Sequence, residues 1–83
     1  MKINEGEIKT MKCAFINEDF SIDYKELEKD ATLELCLSNK YFSISLNDEY
    51  YIFIPSNIYN DKNIDKIAPL MITANKELMF LNN

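Results

Sequence analysis

The stretch Ala31–Ile54, ATLELCLSNKYFSISLNDEYYIFI, alternates apolar and polar residues almost throughout, and this period of two constrains the fold more than any other feature of the chain. Successive side chains of an extended strand point to opposite faces, so the pattern gathers large apolar residues on one side of a sheet. Leu33, Leu35 and Leu37 alternate with Thr32, Glu34, Cys36 and Ser38, and Phe42, Ile44 and Leu46 alternate with Tyr41, Ser43 and Ser45. A two-residue turn at Asn39 and Lys40 sets Leu37 against Phe42, Leu35 against Ile44 and Leu33 against Leu46. Asn tolerates the positive φ such a turn needs, whereas Lys fits it less well. A three-residue turn at Asn47, Asp48 and Glu49 then pairs Leu46 with Tyr50, Ile44 with Ile52 and Phe42 with Ile54. The expectation is an antiparallel meander of three strands with one apolar face, each large side chain contributing about 1.5–3 kcal/mol on burial.

The reverse face carries Thr32, Glu34, Cys36, Ser38, Tyr41, Ser43 and Ser45, followed by Tyr51 and Phe53. The strand Tyr50–Ile54 is therefore apolar on both sides, which calls for a second layer of the same domain, another subunit or a partner to cover it.

Outside the meander, Met1 to Gly6 reads as a short leader, and Glu7 to Ile16 as a strand with Met11, Cys13 and Phe15 on one side and Ile8, Ala14 and Ile16 on the other. Asn17, Glu18 and Asp19 suit a turn into a second strand, Phe20 to Tyr24, closing an N-terminal hairpin. Tyr24 to Asp30 reads as a turn or a single helical turn, with Asp23 and Glu26 spaced as a capping box. Pro55 ends the third meander strand because it has no N–H to donate. Ser56 to Ala68 reads as a loop with one or two helical turns, closed by Pro69. Leu70 to Thr73 and Leu78 to Leu81 predict a last hairpin around Asn75 and Lys76, with Asn82 and Asn83 as a polar end. The fold expected is a single domain over 1–83, mainly β: a small antiparallel barrel or sandwich of about six or seven short strands with a short helical insertion. An α+β arrangement is the alternative if the Tyr24 or Asn63 region is helical.

Composition then narrows the function. The formal net charge is −5, and all nine basic residues are Lys, with no His and no Trp in the chain. Such a field repels phosphate, and without Arg no bidentate guanidinium contact to phosphate or guanine can form, so direct nucleic-acid binding is disfavoured. No signal-peptide h-region and no membrane-length apolar run is present, which points to a cytoplasmic protein with no membrane role. The abundance of Ile, Asn and Lys is what an AT-rich coding sequence produces, as in low-GC bacteria, their phages and mobile elements.

Catalytic and cofactor signatures are missing. Without His, a Ser or Cys nucleophile would need Lys or a carboxylate as base, and no local motif arranges one. One Gly cannot build a phosphate-cradling loop. Cys13 and Cys36 are too few for a zinc site and read as free, buried or half-buried thiols, with a disulfide the alternative if the strands carrying them adjoin in an oxidising compartment. Asp61, Asn63 and Asp65 have the spacing of the first ligands of an EF-hand loop, but Lys66 stands where Gly is required and Ile72 where the bidentate Glu belongs, so no metal is expected. The chain reads as non-enzymatic, with no cofactor.

The remaining signal is charge. Glu18, Asp19, Asp23, Glu26, Glu28 and Asp30 stand against Lys25 and Lys29, a local −4 within thirteen residues. A charged edge that discourages strand-to-strand aggregation explains this economically. The sharper reading is an anionic patch that steers a partner protein with a basic surface, with Tyr41, Tyr51 and Phe53 as apolar anchors. In general character, though not in any motif, a small acidic β-rich chain resembles inhibitors carried by phages and mobile elements against host defence proteins. The rivals are a self-assembling structural or virion-associated subunit, with homo-oligomers formed through the apolar reverse face, and a small-ligand-binding barrel lined by tyrosines.

Overall fold

In the computed structural model, which describes residues 10–47 and 49–81, the chain forms four strands and two helices. In order they are β1 (Thr10–Ile16), β2 (Ile22–Glu28), α1 (Lys29–Leu37), β3 (Tyr41–Leu46), β4 (Tyr50–Pro55) and α2 (Ile64–Leu81). The sheet order is β2-β1-β4-β3, with β1 antiparallel to β2, β4 antiparallel to β3, and β1 parallel to β4 at its centre. The architecture is thus α+β with a mixed sheet, and the expected barrel or sandwich of six or seven strands is replaced by a sheet of four among the described residues. The leader at Met1–Gly6, the strand start at Glu7 and Ile8, Asp48 in its turn, and Asn82 and Asn83 lie outside the described residues.

The two central strands explain the layering. In β1, Met11 and Cys13 are buried on one face and Ala14 and Ile16 on the other; in β4, Phe53 is buried on one face and Ile52 and Ile54 on the other. A strand with no polar face must be covered twice. Here the covers are helices: α2 packs Ile67, Leu70, Met71, Ala74 and Leu78 onto Ala14, Ile16, Ile52 and Ile54, while α1 brings Leu35 and Cys36 to the cluster of Met11, Cys13 and Phe53. The double-sided character of Tyr50–Ile54 is therefore satisfied largely within the chain.

The β3–β4 hairpin has the register expected from the alternation, with Leu46 opposite Tyr50, Ile44 opposite Ile52 and Phe42 opposite Ile54. The N-terminal hairpin also forms, but β2 begins at Ile22 and runs on to Glu28 through the segment expected to turn. Phe20 instead sits in the turn at φ 66°, where its ring packs on the core and lies 5.1 Å from the Lys66 ammonium.

Two expected strand regions are helical. Residues 29–37 form α1, so Leu33, Leu35 and Leu37 do not share a face: Leu35 packs inward, whereas Leu37 is 85% exposed. The inward positions are Thr32, Leu35 and Cys36, spaced by three and four as a helix requires, and Thr32 Oγ1 donates to the Glu28 carbonyl at 2.9 Å. The Asn39–Lys40 turn accordingly connects a helix to β3. The second correction is the C-terminal hairpin: residues 64–81 are one helix with Pro69 inside it. Asn63 starts this helix, its carbonyl accepting from Lys66 and Ile67 at 2.9 Å each and its amide donating to the Ile58 carbonyl at 3.0 Å. Pro69 cannot bond the Asp65 carbonyl, but both residues are exposed, so water can satisfy that oxygen. The burial of Ile67, Ala74 and Leu78 offsets the lost bond.

Candidate protein-interaction surfaces

The acidic residues are all exposed and follow one edge of the sheet. Asp23, Glu26 and Glu28 are on β2, the edge strand; Glu18 and Asp19 are in the turn that enters it; Asp30 is in the first turn of α1, which leaves it. They do not share a face. Asp23 is opposite Phe15 on the α1 side, while Glu26, opposite Lys12, and Glu28, opposite Thr10, point to the α2 side. Their hydrogen-bond donors include neutral side chains: Asn57 Nδ2 donates to Glu18 at 3.1 Å, Asn17 Nδ2 to Asp23 at 3.1 Å and Thr10 Oγ1 to Glu26 at 2.9 Å. Such bonds fix the carboxylates without cancelling their charge. Asp19 accepts from the Ser21 hydroxyl at 2.6 Å and the Ser21 N–H at 3.1 Å, and these bonds hold its carboxyl below the ordinary range.

The aromatic residues cluster on the α1 face of the sheet, across β1, β4 and β3. Phe53 is fully buried, stacked on Phe15 at 5.0 Å between ring centroids and edge-on to Tyr41 at 5.8 Å, with Tyr51 at 5.9 Å. Half-buried Phe15, Tyr41 and Tyr51 thus surround a ring that reaches no surface. Phe53 organises the patch from beneath, and any contact with a partner falls to Tyr41 and Tyr51. Sequence reasoning missed Phe15 and Lys25, whose ammonium sits 5.4 Å from the Phe15 centroid and joins the aromatic patch to the acidic edge. The alternation places Phe15 on one side of its strand together with Cys13, but which neighbour shares its face depends on sheet order.

Polar residues line a shallow cleft of about 400 Å³ where the parallel strands β1 and β4 end, bounded by Glu18, Asn39, Lys40, Tyr41, Ser56 and Asn57. Its polar groups bond one another: Asn57 to Glu18, and Ser56 Oγ to the Asn39 carbonyl at 3.0 Å. Among the described residues no group of three or more metal-ligating side chains converges, and no helix is long and apolar enough to cross a membrane.

Both cysteines are free thiols. Burial pushes the Cys13 thiol above its ordinary pKa of 9.0; a contact with Thr32 Oγ1 at 3.9 Å opposes this in part, and Cys36 adds to it. Burial, with Glu77 nearby, likewise raises Tyr24. Both groups hold their protons more tightly folded than unfolded, so their stabilising effect is complete below the unfolded pKa and disappears as pH rises towards the folded one. The urea midpoint should fall between about pH 8 and about pH 10, and Cys13→Ala should flatten the start of that decline. In the native protein a maleimide should label Cys36 and leave Cys13 untouched. A midpoint flat across this range, or equal labelling, would contradict the burial of Cys13.

The fold and these surfaces define a small α+β domain with one acidic sheet edge and one aromatic patch. No family model matches the chain, and no curated protein or solved structure matches it.

Proposed function

We propose that this chain is a non-enzymatic protein-binding module whose acidic edge steers a partner with a basic surface. The observation that carries this reading is the placement of Glu18, Asp19, Asp23, Glu26, Glu28 and Asp30, all exposed, along β2 and its two ends. Charges aligned on one edge produce a directional field, which raises association rates with an oppositely charged surface and orients the encounter. Tyr41 and Tyr51 supply apolar contact area beside that field. An inhibitor of a host protein, carried by a phage or mobile element, is the form of this function that the composition favours.

The test is a pull-down from a low-GC bacterial lysate at low and high salt, using the chain and a variant with Glu18, Asp19, Glu26 and Glu28 changed to Lys. One stoichiometric partner held at low salt, released at high salt and lost by the variant supports the reading. With that partner purified, the association rate of the variant should fall by about 10- to 1,000-fold. Capture that neither salt nor charge reversal alters would exclude the electrostatic mechanism.

A further inference from the structure

The two edges of the sheet are built differently. β2 carries Asp23, Lys25, Glu26 and Glu28, charges of the kind that keep an edge from pairing with another strand. β3, YFSISL, has no charge, no Pro and no Gly over its six residues, and nothing pairs with its outer side among the described residues.

The backbone bonds show what that side offers. The Ser56 N–H donates to the Lys40 carbonyl at 2.8 Å, and Tyr41 is opposite Pro55, which has no N–H. Hydrogen-bonded pairs alternate along an antiparallel ladder, so Phe42, Ile44 and Leu46 direct their backbone groups to β4. Tyr41, Ser43 and Ser45 therefore turn theirs outward. Beside this edge, Ile44, Leu46, Met71 and Ile72 line a largely apolar groove of about 270 Å³ that Asn75 and Lys76 bound. Phe42, stacked on Tyr59 at 4.3 Å, is still 41% exposed and Ile72 is 59% exposed, because α2 packs mainly over β1 and β4.

We infer that β3 pairs antiparallel with β3 of a second copy about a two-fold axis at Ser43, giving a continuous eight-stranded sheet. In this register Ser43 is opposite Ser43, and Tyr41 opposite Ser45, so all three outward-facing residues of each copy are paired. Phe42 of each copy is opposite Ile44 of the other, an aromatic and β-branched pair of the kind that stabilises antiparallel strands, and Ile44 lines the groove. Charge favours a second copy as the occupant. Each chain carries −5, yet Tyr41–Leu46 carries none of it, and β2 is three strand spacings away, about 14 Å. The two acidic edges end up seven spacings apart, about 33 Å, several times the screening length of about 8 Å at physiological salt. Self-association through β3 thus escapes the repulsion that any arrangement bringing the β2 edges together would meet, and it leaves both acidic edges free.

Sedimentation of the full chain and a pair of cysteine variants test this. At about 1 mM the 9.7 kDa chain should sediment at twice its mass. In a Cys36→Ser background, Ser43→Cys should form an intermolecular disulfide on mild oxidation, because a hydrogen-bonded pair brings Cα atoms to about 5.5 Å. Ser45→Cys should not, since the two positions are offset by four residues, about 13 Å. Ser43→Pro removes an outward N–H while leaving the β4 ladder intact, and should give a monomer with unchanged circular dichroism. A monomer at about 1 mM, a dimer cross-linked equally by both cysteine variants, or a dimer that survives Ser43→Pro would each overturn the inference. Should the proline variant not fold, the cysteine pair decides.

Discussion

Replacing Phe53 with alanine will cost about 3–5 kcal/mol of folding stability, the range for removing a large aromatic side chain from a packed core. Phe53 has no exposed surface and meets three other rings, at 5.0 Å (Phe15), 5.8 Å (Tyr41) and 5.9 Å (Tyr51). Its removal would leave these rings without their common neighbour. An 83-residue domain has a total stability of roughly 4–12 kcal/mol, so the variant approaches the folding threshold. The melting temperature should drop by roughly 12 °C or more, and Phe53→Leu, which keeps most of the volume, should lose much less. Thermal melts followed by circular dichroism measure both. A drop below about 4 °C for Phe53→Ala would mean that Phe53 does not organise the aromatic patch.

The second large effect distinguishes a C-terminal helix from a hairpin. Residues two apart share a face in a strand but diverge in a helix. Leu78 is fully buried and Phe80 is 77% exposed, so Leu78→Ala should cost about 2–5 kcal/mol while Phe80→Ala stays within about 0.5 kcal/mol. Urea unfolding of the two variants gives the comparison. Equal losses would restore the hairpin and remove the cover from Ala14, Ile16, Ile52 and Ile54.

These two variants also mark where local pattern could and could not be read. Around Phe53 the alternation was decisive: the β3–β4 register and the assignment of Cys13 and Phe15 to one side of β1 both follow from the two-residue repeat, since a one-residue slip would move every apolar side chain to the wrong face. In α1 the same kind of pattern misled. Leu33, Leu35 and Leu37 alternate, but Thr32, Leu35 and Cys36 have helical spacing and are the residues that pack. Ala, Leu, Glu and Lys are strong helix formers, and their presence between 29 and 37 outweighed an alternation only three leucines long. In α2, Pro69 suggested a boundary, yet the apolar positions 67, 70, 71, 74 and 78 continue through it on one side.

The candidate site was legible in a similarly divided way. The carboxylates could be counted, and their exposure is what charged residues ordinarily adopt. That they follow a single edge depended on β2 being outermost in the sheet. Tyr51 and Phe53 looked alike as reverse-face residues, but only one retains a surface, because Phe15 of β1 stacks on the other.

By itself the sequence determined the N-terminal and β3–β4 hairpins, the two-sided burial of Tyr50–Ile54 and the acidic segment, since each follows from local periodicity or charge. Only the tertiary structure decided that helices supply the covering layers, that β1 and β4 meet in parallel at the centre, and that β3 is left as an uncharged edge. The reason is physical: a strand or helix of this length is marginal alone, and which form a segment takes, and which neighbour it meets, is fixed by the apolar surface that the rest of the chain leaves to be covered.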